Sequence, residues 1–182
     1  MSVYNLFFKK HPVFTLKEFY EEIPKNPKTA YNNLMTNYVK SGKVKSVKRG
    51  LYAVVPSGDD PDNYFPDEIL TASRLSEDSV LAFHTGLEVH GYNRSTLFKY
   101  FYYTDSRKRP FDMNNNLFIS VKSPLKIADN STKQGFMKIQ YHGLEVTVTD
   151  RERTLIDCLN RPEYCGGIEE VYRSVLGFPY LD

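Results

Sequence analysis

The sequence has no tryptophan, only two cysteines and no long apolar run, and each shortage excludes a class of protein. Cys158 and Cys165 lack the spacing of a CxxC clip, and two thiols are too few for a disulfide-rich secreted scaffold. No stretch approaches the roughly 18–20 apolar residues that cross a bilayer. The first residues, MSVYNLFFKKHPVF, lack a long apolar core and a small-residue cleavage site. We therefore expect a cytoplasmic protein that makes no membrane contact.

Sequence motifs of several enzyme classes are missing as well. There is no Walker loop, no GxGxxG and no GxSxG. His84 and Glu88 are four residues apart and would share a helical face, but His90 lies off that face and the spacing is not that of HExxH. We expect His84 and Glu88 to form a polar pair within the fold. We predict no catalytic residue, no metal site and no cofactor.

Four acidic residues late in the chain keep an enzymatic alternative open, a metal-dependent nuclease or hydrolase: Glu145, Asp150, Glu152 and Asp157. Against it, Glu152 fits a T-x-x-E capping box with Thr149, and an acid is favourable at a helix start. No lysine follows at the spacing that such nucleases use. A non-enzymatic protein is the favoured interpretation.

The charge that the chain does have is divided unevenly along its length. Residues 1–56 hold ten Lys or Arg against three Glu, a formal charge of +7, whereas residues 57–182 carry a formal charge of −5. The stretch PSGDDPDNYFP, residues 56–66, lies at this change of sign and is rich in residues that end regular structure. We predict a basic domain over residues 1–56, which contacts a polyanion, and a second domain over residues 57–182.

The basic segment predicts three helices and a β-hairpin. Helices are expected at 3–10, 14–23 and 26–42, and strands at 44–47 and 51–55. Thr15 and Glu18 form a T-x-x-E capping box, while Asn26 and Pro27 suit the start of the third helix. This order is typical of a helix-turn-helix followed by a wing.

The outer face of the third helix is the most informative feature of the sequence. It carries side chains suited to base edges rather than to plain solvation, because an Asn amide pairs bidentately with adenine and Thr offers a hydroxyl and a methyl group. The predicted base-reading residues are Thr29, Asn32, Asn33 and Thr36. The predicted phosphate contacts are Lys25, Lys28, Lys45, Lys48 and Arg49, the last two at the hairpin tip beside Gly50.

The second segment predicts a mixed α+β domain. Helices are expected at 65–76, 82–91, 149–162 and 166–177, and strands at 97–104, 116–123, 136–143 and 144–150. Strand 97–104 has aromatic residues on both faces and should therefore be central. One basic cluster, SRKRP, offers Arg107, Lys108 and Arg109 as a second phosphate-binding patch or as a solvated loop.

Three stretches carry a family resemblance: KRGLYAVVP, LAFHTGLEVHG and VTDRERTLIDCLNRPEYCGG. They resemble the AbiEi family, the antitoxins of type IV toxin–antitoxin systems, and the likeness extends over residues 1–176. It implies a winged helix that binds repeats in the promoter of its own operon, followed by an antitoxin domain. The expected functional partner is a nucleotidyltransferase-type toxin, which the antitoxin opposes without necessarily touching it. Chains of the family usually continue with a further helical portion, so we expect a fragment or a short member here.

The residues themselves leave a third class of function open besides the DNA-binding regulator and the enzyme. The basic segment can also dock an acidic protein, which would give an antitoxin that acts by protein interaction without specific DNA binding. Double-stranded DNA is the favoured partner, because Asn and Thr are poor helix formers and give a solubilising surface no advantage over Glu and Lys.

Overall fold

The structure is a computed structural model that describes residues 2–106, 108–124, 127 and 135–178. In this part the chain is mixed α+β, as expected, with seven α-helices and two β-sheets. The first part comprises α1 (Val3–Lys10), β1 (Val13–Thr15), α2 (Leu16–Glu22), α3 (Pro27–Asn33), a π-helix (Leu34–Val39), β2 (Val44–Lys48) and β3 (Leu51–Val54).

The remaining helices are α4 (Glu68–Arg74), α5 (Phe83–His90), α6 (Arg151–Asn160), a 3-10 turn (Pro162–Tyr164) and α7 (Ile168–Val175). The remaining strands are β4 (Val80–Leu81), β5 (Lys99–Thr104), β6 (Phe111–Met113), β7 (Asn116–Lys122), β8 (Phe136–Tyr141) and β9 (Leu144–Thr149). None of the helices within the described ranges has the length and apolar character needed to span a bilayer.

The predicted start signals of α2 and α3 are confirmed. The Thr15 hydroxyl accepts a hydrogen bond from the Glu18 N–H at 3.2 Å, and the Thr15 N–H donates to Glu18 Oε2 at 2.7 Å. Asn26 Oδ1 accepts from the Lys28 N–H at 3.0 Å, with Pro27 as the first helical residue. Both helices therefore begin where local chemistry satisfies their unpaired N–H groups.

An aromatic core joins the first three helices to a small antiparallel sheet of order β1-β3-β2. Tyr4, Phe7, Phe14 and Phe19 are all buried there, and their rings contact one another in tilted, edge-to-face and stacked arrangements. A short connection at residues 23–26 separates α2 from α3. The core thereby fixes the direction in which α3 points its other face.

The second sheet has the order β6-β7-β5-β4-β9-β8. β5 lies between β7, to which it is parallel, and β4, to which it is antiparallel, so it is central as predicted. Tyr100 and Tyr102 belong to one core, whereas Phe101 and Tyr103 belong to the core on the opposite face. The hairpin turn between β8 and β9 falls at His142 and Gly143, with positive φ at both residues.

The central strand of the small sheet, β3, is buried on both of its faces. Along β3, Tyr52 faces the aromatic core of the first three helices, while Leu51 and Ala53 pack with Ile69 and Leu70 of α4. The predicted boundary near residue 56 falls in the loop between β3 and α4, yet one hydrophobic cluster continues across it. The sheet is therefore shared by the first and second parts of the chain.

Three strands and one helix cap differ from the sequence expectations. β1, β4 and β6 were not predicted, because each has only two or three residues and no alternation can be recognised over such a length. The predicted capping box of α6 is wrong. The cap is Asp150, whose Oδ1 accepts from the Arg153 N–H at 2.8 Å, while the Thr149 hydroxyl is buried 2.6 Å from that of Thr154.

Candidate nucleic-acid interface

The helix with the candidate base-reading residues is regular in its first half and wider in its second. Ala30 and Leu34 are fully buried against the aromatic core, so the opposite face of α3 points to solvent. The π-helix that follows closes with a hydrogen bond from the Lys40 N–H to Met35 O at 3.0 Å, five residues back. π-helical turns are rare and occur frequently at functional sites.

The four candidate base-reading residues differ in how free their side chains are. Thr29 and Asn32 are exposed, and within the described residues no hydrogen bond occupies their side chains. Asn33 is half-buried and its amide donates to Tyr4 Oη at 3.1 Å. The Thr36 hydroxyl, although exposed, donates to the backbone oxygen of Asn32. Thr29 and Asn32 are thus the pair best placed to meet another molecule.

Two further side chains of this helix are exposed and were not predicted as contacts, Tyr31 and Asn37. Asn37 shares the amide chemistry of Asn32 but lies in the π-helix, where the wider turn changes which positions face outward. Its spacing of four residues from Asn33 would have placed it on the same side of a regular helix. For Tyr31, a large aromatic residue on a helix normally indicates a core position, and the sequence gives no signal to the contrary.

Cations surround this face at the start of the helix. Lys28 is exposed within the first turn of α3. The Lys25 ammonium lies 5.2 Å from the centre of the Tyr4 ring, in a cation–π contact that holds it beside the helix start. Positive charge at this end of a helix adds to the field of its unpaired N–H groups and attracts phosphate.

The β2–β3 hairpin carries the other predicted phosphate contacts, and the structure shows that their side chains have different partners. Arg49 is exposed at the tip beside Gly50, whose φ of 83° permits the turn. The Lys48 ammonium lies 5.1 Å from the centre of the Phe111 ring in β6. Lys45, in contrast, donates to the backbone oxygens of Asp62 and Tyr64 at 3.0 and 2.7 Å. Its ammonium holds the segment between β3 and α4, whereas Arg49 remains open to solvent.

The second predicted basic patch lies next to this hairpin tip. Lys108 and Arg109 are exposed and are separated by one residue, Pro110, from β6, which contains the Phe111 that Lys48 covers. The Lys108 backbone is fixed by hydrogen bonds to the Ser120 hydroxyl at 3.0 and 3.1 Å. Arg107, the third residue of the predicted patch, lies outside the described residues. The fold thereby brings cations from both parts of the chain to one place, which the sequence alone could not show.

His84 has a different partner from the one expected, and His90 contacts the backbone. His84 is buried and faces Glu170 at 3.9 Å, so the expected pairing of His84 with Glu88 is wrong. Burial lowers the pKa of His84, although the Glu170 carboxylate opposes that shift. His90 lies 2.7 Å from the backbone oxygen of Thr149 through Nε2. Burial raises the pKa of Glu88.

The acids considered for a nuclease mostly serve the fold. Asp150 caps α6, Asp157 accepts from Arg153 Nε at 2.8 Å, and Glu145 pairs with Lys138 at 2.6 Å. Within the described ranges, no three His, Cys, Asp or Glu residues are grouped so that they could hold a metal ion. Cys158 is fully buried and packs in the core.

Comparison with known proteins adds no family to this description. No protein-family model matches the chain, and no curated protein is significantly similar to it.

Proposed function

We propose that this chain is a DNA-binding transcriptional regulator with an N-terminal winged helix-turn-helix. The observation that carries the proposal is the outer face of α3, where the exposed side chains of Thr29 and Asn32 lie among cations. Three helices with a small sheet of order β1-β3-β2 fit this interpretation, since α3 would enter the major groove and the β2–β3 hairpin would lie along the backbone.

The cations support a footprint longer than one helix. Lys25 and Lys28 lie at the start of α3. Arg49 lies at the hairpin tip beside Lys48, whose ammonium contacts the ring of Phe111, the second residue after Arg109. Such groups fix position and orientation on the duplex, while base contacts supply the sequence preference. Neutralising phosphates releases counterions, so the proposed binding weakens as salt concentration rises.

The regulator would act as the antitoxin of a type IV toxin–antitoxin system in the cytoplasm. This part of the proposal is supported by the resemblance of the stretches quoted above to the AbiEi family. In that role the protein represses its own operon through promoter repeats and opposes a nucleotidyltransferase-type toxin, without needing direct contact to it. No enzymatic step by this chain is required.

Fluorescence anisotropy with the duplex from the chain's own upstream region tests DNA recognition. We expect the double change Thr29→Ala and Asn32→Ala to cost about 1–3 kcal/mol for each base that is no longer read, while binding to a scrambled duplex is nearly unchanged. Gln140→Ala is the matched control, since it removes an exposed amide from β8. Equal affinity of the wild type for both duplexes would contradict specific recognition and favour the interaction-only antitoxin.

Two further assays separate the remaining alternatives. Incubation of labelled DNA with the protein and Mg²⁺ or Mn²⁺ should leave the DNA intact, and cleavage that requires the metal would instead favour a nuclease. Co-expression with the toxin encoded beside the chain should restore growth. Continued growth arrest by the toxin would contradict the antitoxin role but leave DNA recognition standing.

A further inference from the structure

The last two helices leave large apolar side chains in solvent, although they contact each other. The side chains concerned, with their exposed fractions, are Ile156 (61%), Leu159 (52%), Ile168 (63%), Tyr172 (63%) and Leu176 (70%). These five are nearly half of the large hydrophobic residues that are exposed in the described part of the chain. Clustered exposure of this kind marks an interaction surface, whereas single exposed apolar residues are ordinary.

The helices that carry this surface are firmly attached to the rest of the fold. In α6 and α7 the opposite faces are buried through Cys158, Val171 and Ser174. The Glu170 carboxylate accepts from the N–H groups of Arg94 and Ser95 at 2.7 and 2.9 Å. The outward face of α7 is thus fixed, and it cannot bury its apolar residues by turning.

The pattern on α7 is self-complementary. Ile168, Tyr172 and Leu176 are spaced by four residues and form one stripe along the helix. If a second copy packs antiparallel about a two-fold axis near Tyr172, Ile168 lies opposite Leu176 of the second copy, and Tyr172 lies opposite Tyr172. A two-fold interface uses the same surface on both partners, which this arrangement satisfies.

Charge agrees with the same arrangement. Glu169 and Arg173 are both exposed on one flank of the stripe, where they pair at 2.6 Å within the chain. In the antiparallel arrangement this flank contacts the same flank of the second copy. Glu169 of each copy then approaches Arg173 of the other. A partner of different sequence would not need one acidic and one basic residue on this flank. A partner with charges of a single sign would be attracted by one of the two residues and repelled by the other.

We propose that α6 and α7 form the interface of a homodimer. Each dimer carries two α3 helices, which suits the promoter repeats of the proposed operator. That consequence rests on the proposed function, whereas the association itself does not.

Sedimentation velocity over a dilution series, without DNA, tests the association. The wild type should reach twice the chain mass of 21.1 kDa, and Tyr172→Asp should weaken association by about tenfold or more. Leu6→Asp is the matched control, because Leu6 is a similarly exposed apolar residue on α1. Circular dichroism and thermal melting confirm that each variant is folded.

A charge exchange tests the register. Glu169→Arg alone should weaken the dimer, and adding Arg173→Glu should restore it, since the exchanged pair is again complementary. A wild type that sediments as a monomer at every concentration overturns the proposal, as does a Tyr172→Asp dimer of unchanged affinity. Because no DNA is present, these outcomes are independent of the binding assays above.

Discussion

Asn32 and Asn33 are neighbours with identical side chains, yet the fold gives them different tasks. Asn32 faces solvent, while the Asn33 amide donates to Tyr4 Oη at the edge of the aromatic core. The sequence predicted both as base-reading residues, because helical spacing places them on one side. A hydrogen bond between residues that are 29 positions apart cannot be read from such spacing.

We expect Asn33→Ala to lower the free energy of unfolding by about 0.5–1.5 kcal/mol, since it removes a part-buried hydrogen bond to Tyr4. Asn32→Ala should raise it by a few tenths of a kcal/mol, because Ala is the better helix former. Urea denaturation of both variants measures these changes. A loss of stability in Asn32→Ala, with none in Asn33→Ala, would contradict the assignment.

Buried histidines make stability depend on pH. Burial lowers the pKa of His84, which faces Glu170, and of His90, which faces the Thr149 oxygen and lies near charges at the start of α6. The unfolded chain therefore binds more protons than the folded chain below the ordinary histidine pKa of about 6.5. Stability should fall as pH decreases from 7 toward 5, by at most about 1.4 kcal/mol per pH unit for each group.

Urea denaturation at several pH values measures this dependence. The double variant His84→Met and His90→Met should show a flatter profile between pH 5 and 7, whatever its stability at pH 7. An unchanged slope would show that other groups cause the decrease, and would remove His84 and His90 as its origin.

At the scale of elements, the sequence predicted most helices and long strands but not their finer geometry. The capping box at Thr15 is local chemistry and was found, whereas the cap of α6 shifted by one residue to Asp150. Thr149 was not free to cap because β9 buries its hydroxyl against Thr154, a tertiary effect. The π-helix at Leu34–Val39 was missed since no local signal distinguishes it from continued α-helix.

The basic residues of the β2–β3 hairpin have two different expected roles, phosphate contact for Lys48 and Arg49 and support of the fold for Lys45. Lys48→Met with Arg49→Met should reduce the slope of log affinity against log salt by about one for each phosphate that is no longer neutralised, for all DNA sequences alike. Lys45→Met should instead lower stability, because its ammonium holds the backbone at Asp62 and Tyr64.

Anisotropy titrations at several salt concentrations, together with urea denaturation, distinguish the two roles. A changed salt slope in Lys45→Met at unchanged stability would assign Lys45 to the phosphate contacts, as the sequence suggested. A change of sequence preference alone in Lys48→Met with Arg49→Met would contradict a positioning role for the hairpin.

On the scale of the whole molecule, the small sheet β1-β3-β2 packs with both the basic and the acidic part of the chain. Leu51 and Ala53 pack on α4 while Tyr52 completes the other core, so the small sheet contributes to the packing of both parts. Composition revealed the division of charge. It could not reveal the shared packing, which depends on contacts between residues far apart in sequence.

We expect the two parts to unfold together. Leu51→Ala should cost about 2–5 kcal/mol, because it removes a buried side chain between β3 and α4. Hydrogen exchange in increasing urea should show peptides from α2 and from β5 opening at the same denaturant concentration, in the wild type and in the variant. Separate transitions would contradict a single cooperative unit.

The double burial of β3 also limits how far the first part of the chain, residues 1–56, can be transplanted into another protein. Cut out after residue 56, it would present Val13, Leu51 and Ala53 to water where α4 now covers them. A chimera that grafts these residues onto a foreign body would therefore need a receiving helix with α4's apolar side. The contact with that helix, and not the linker, would then set the orientation of the segment and of the α3 face proposed to bind DNA.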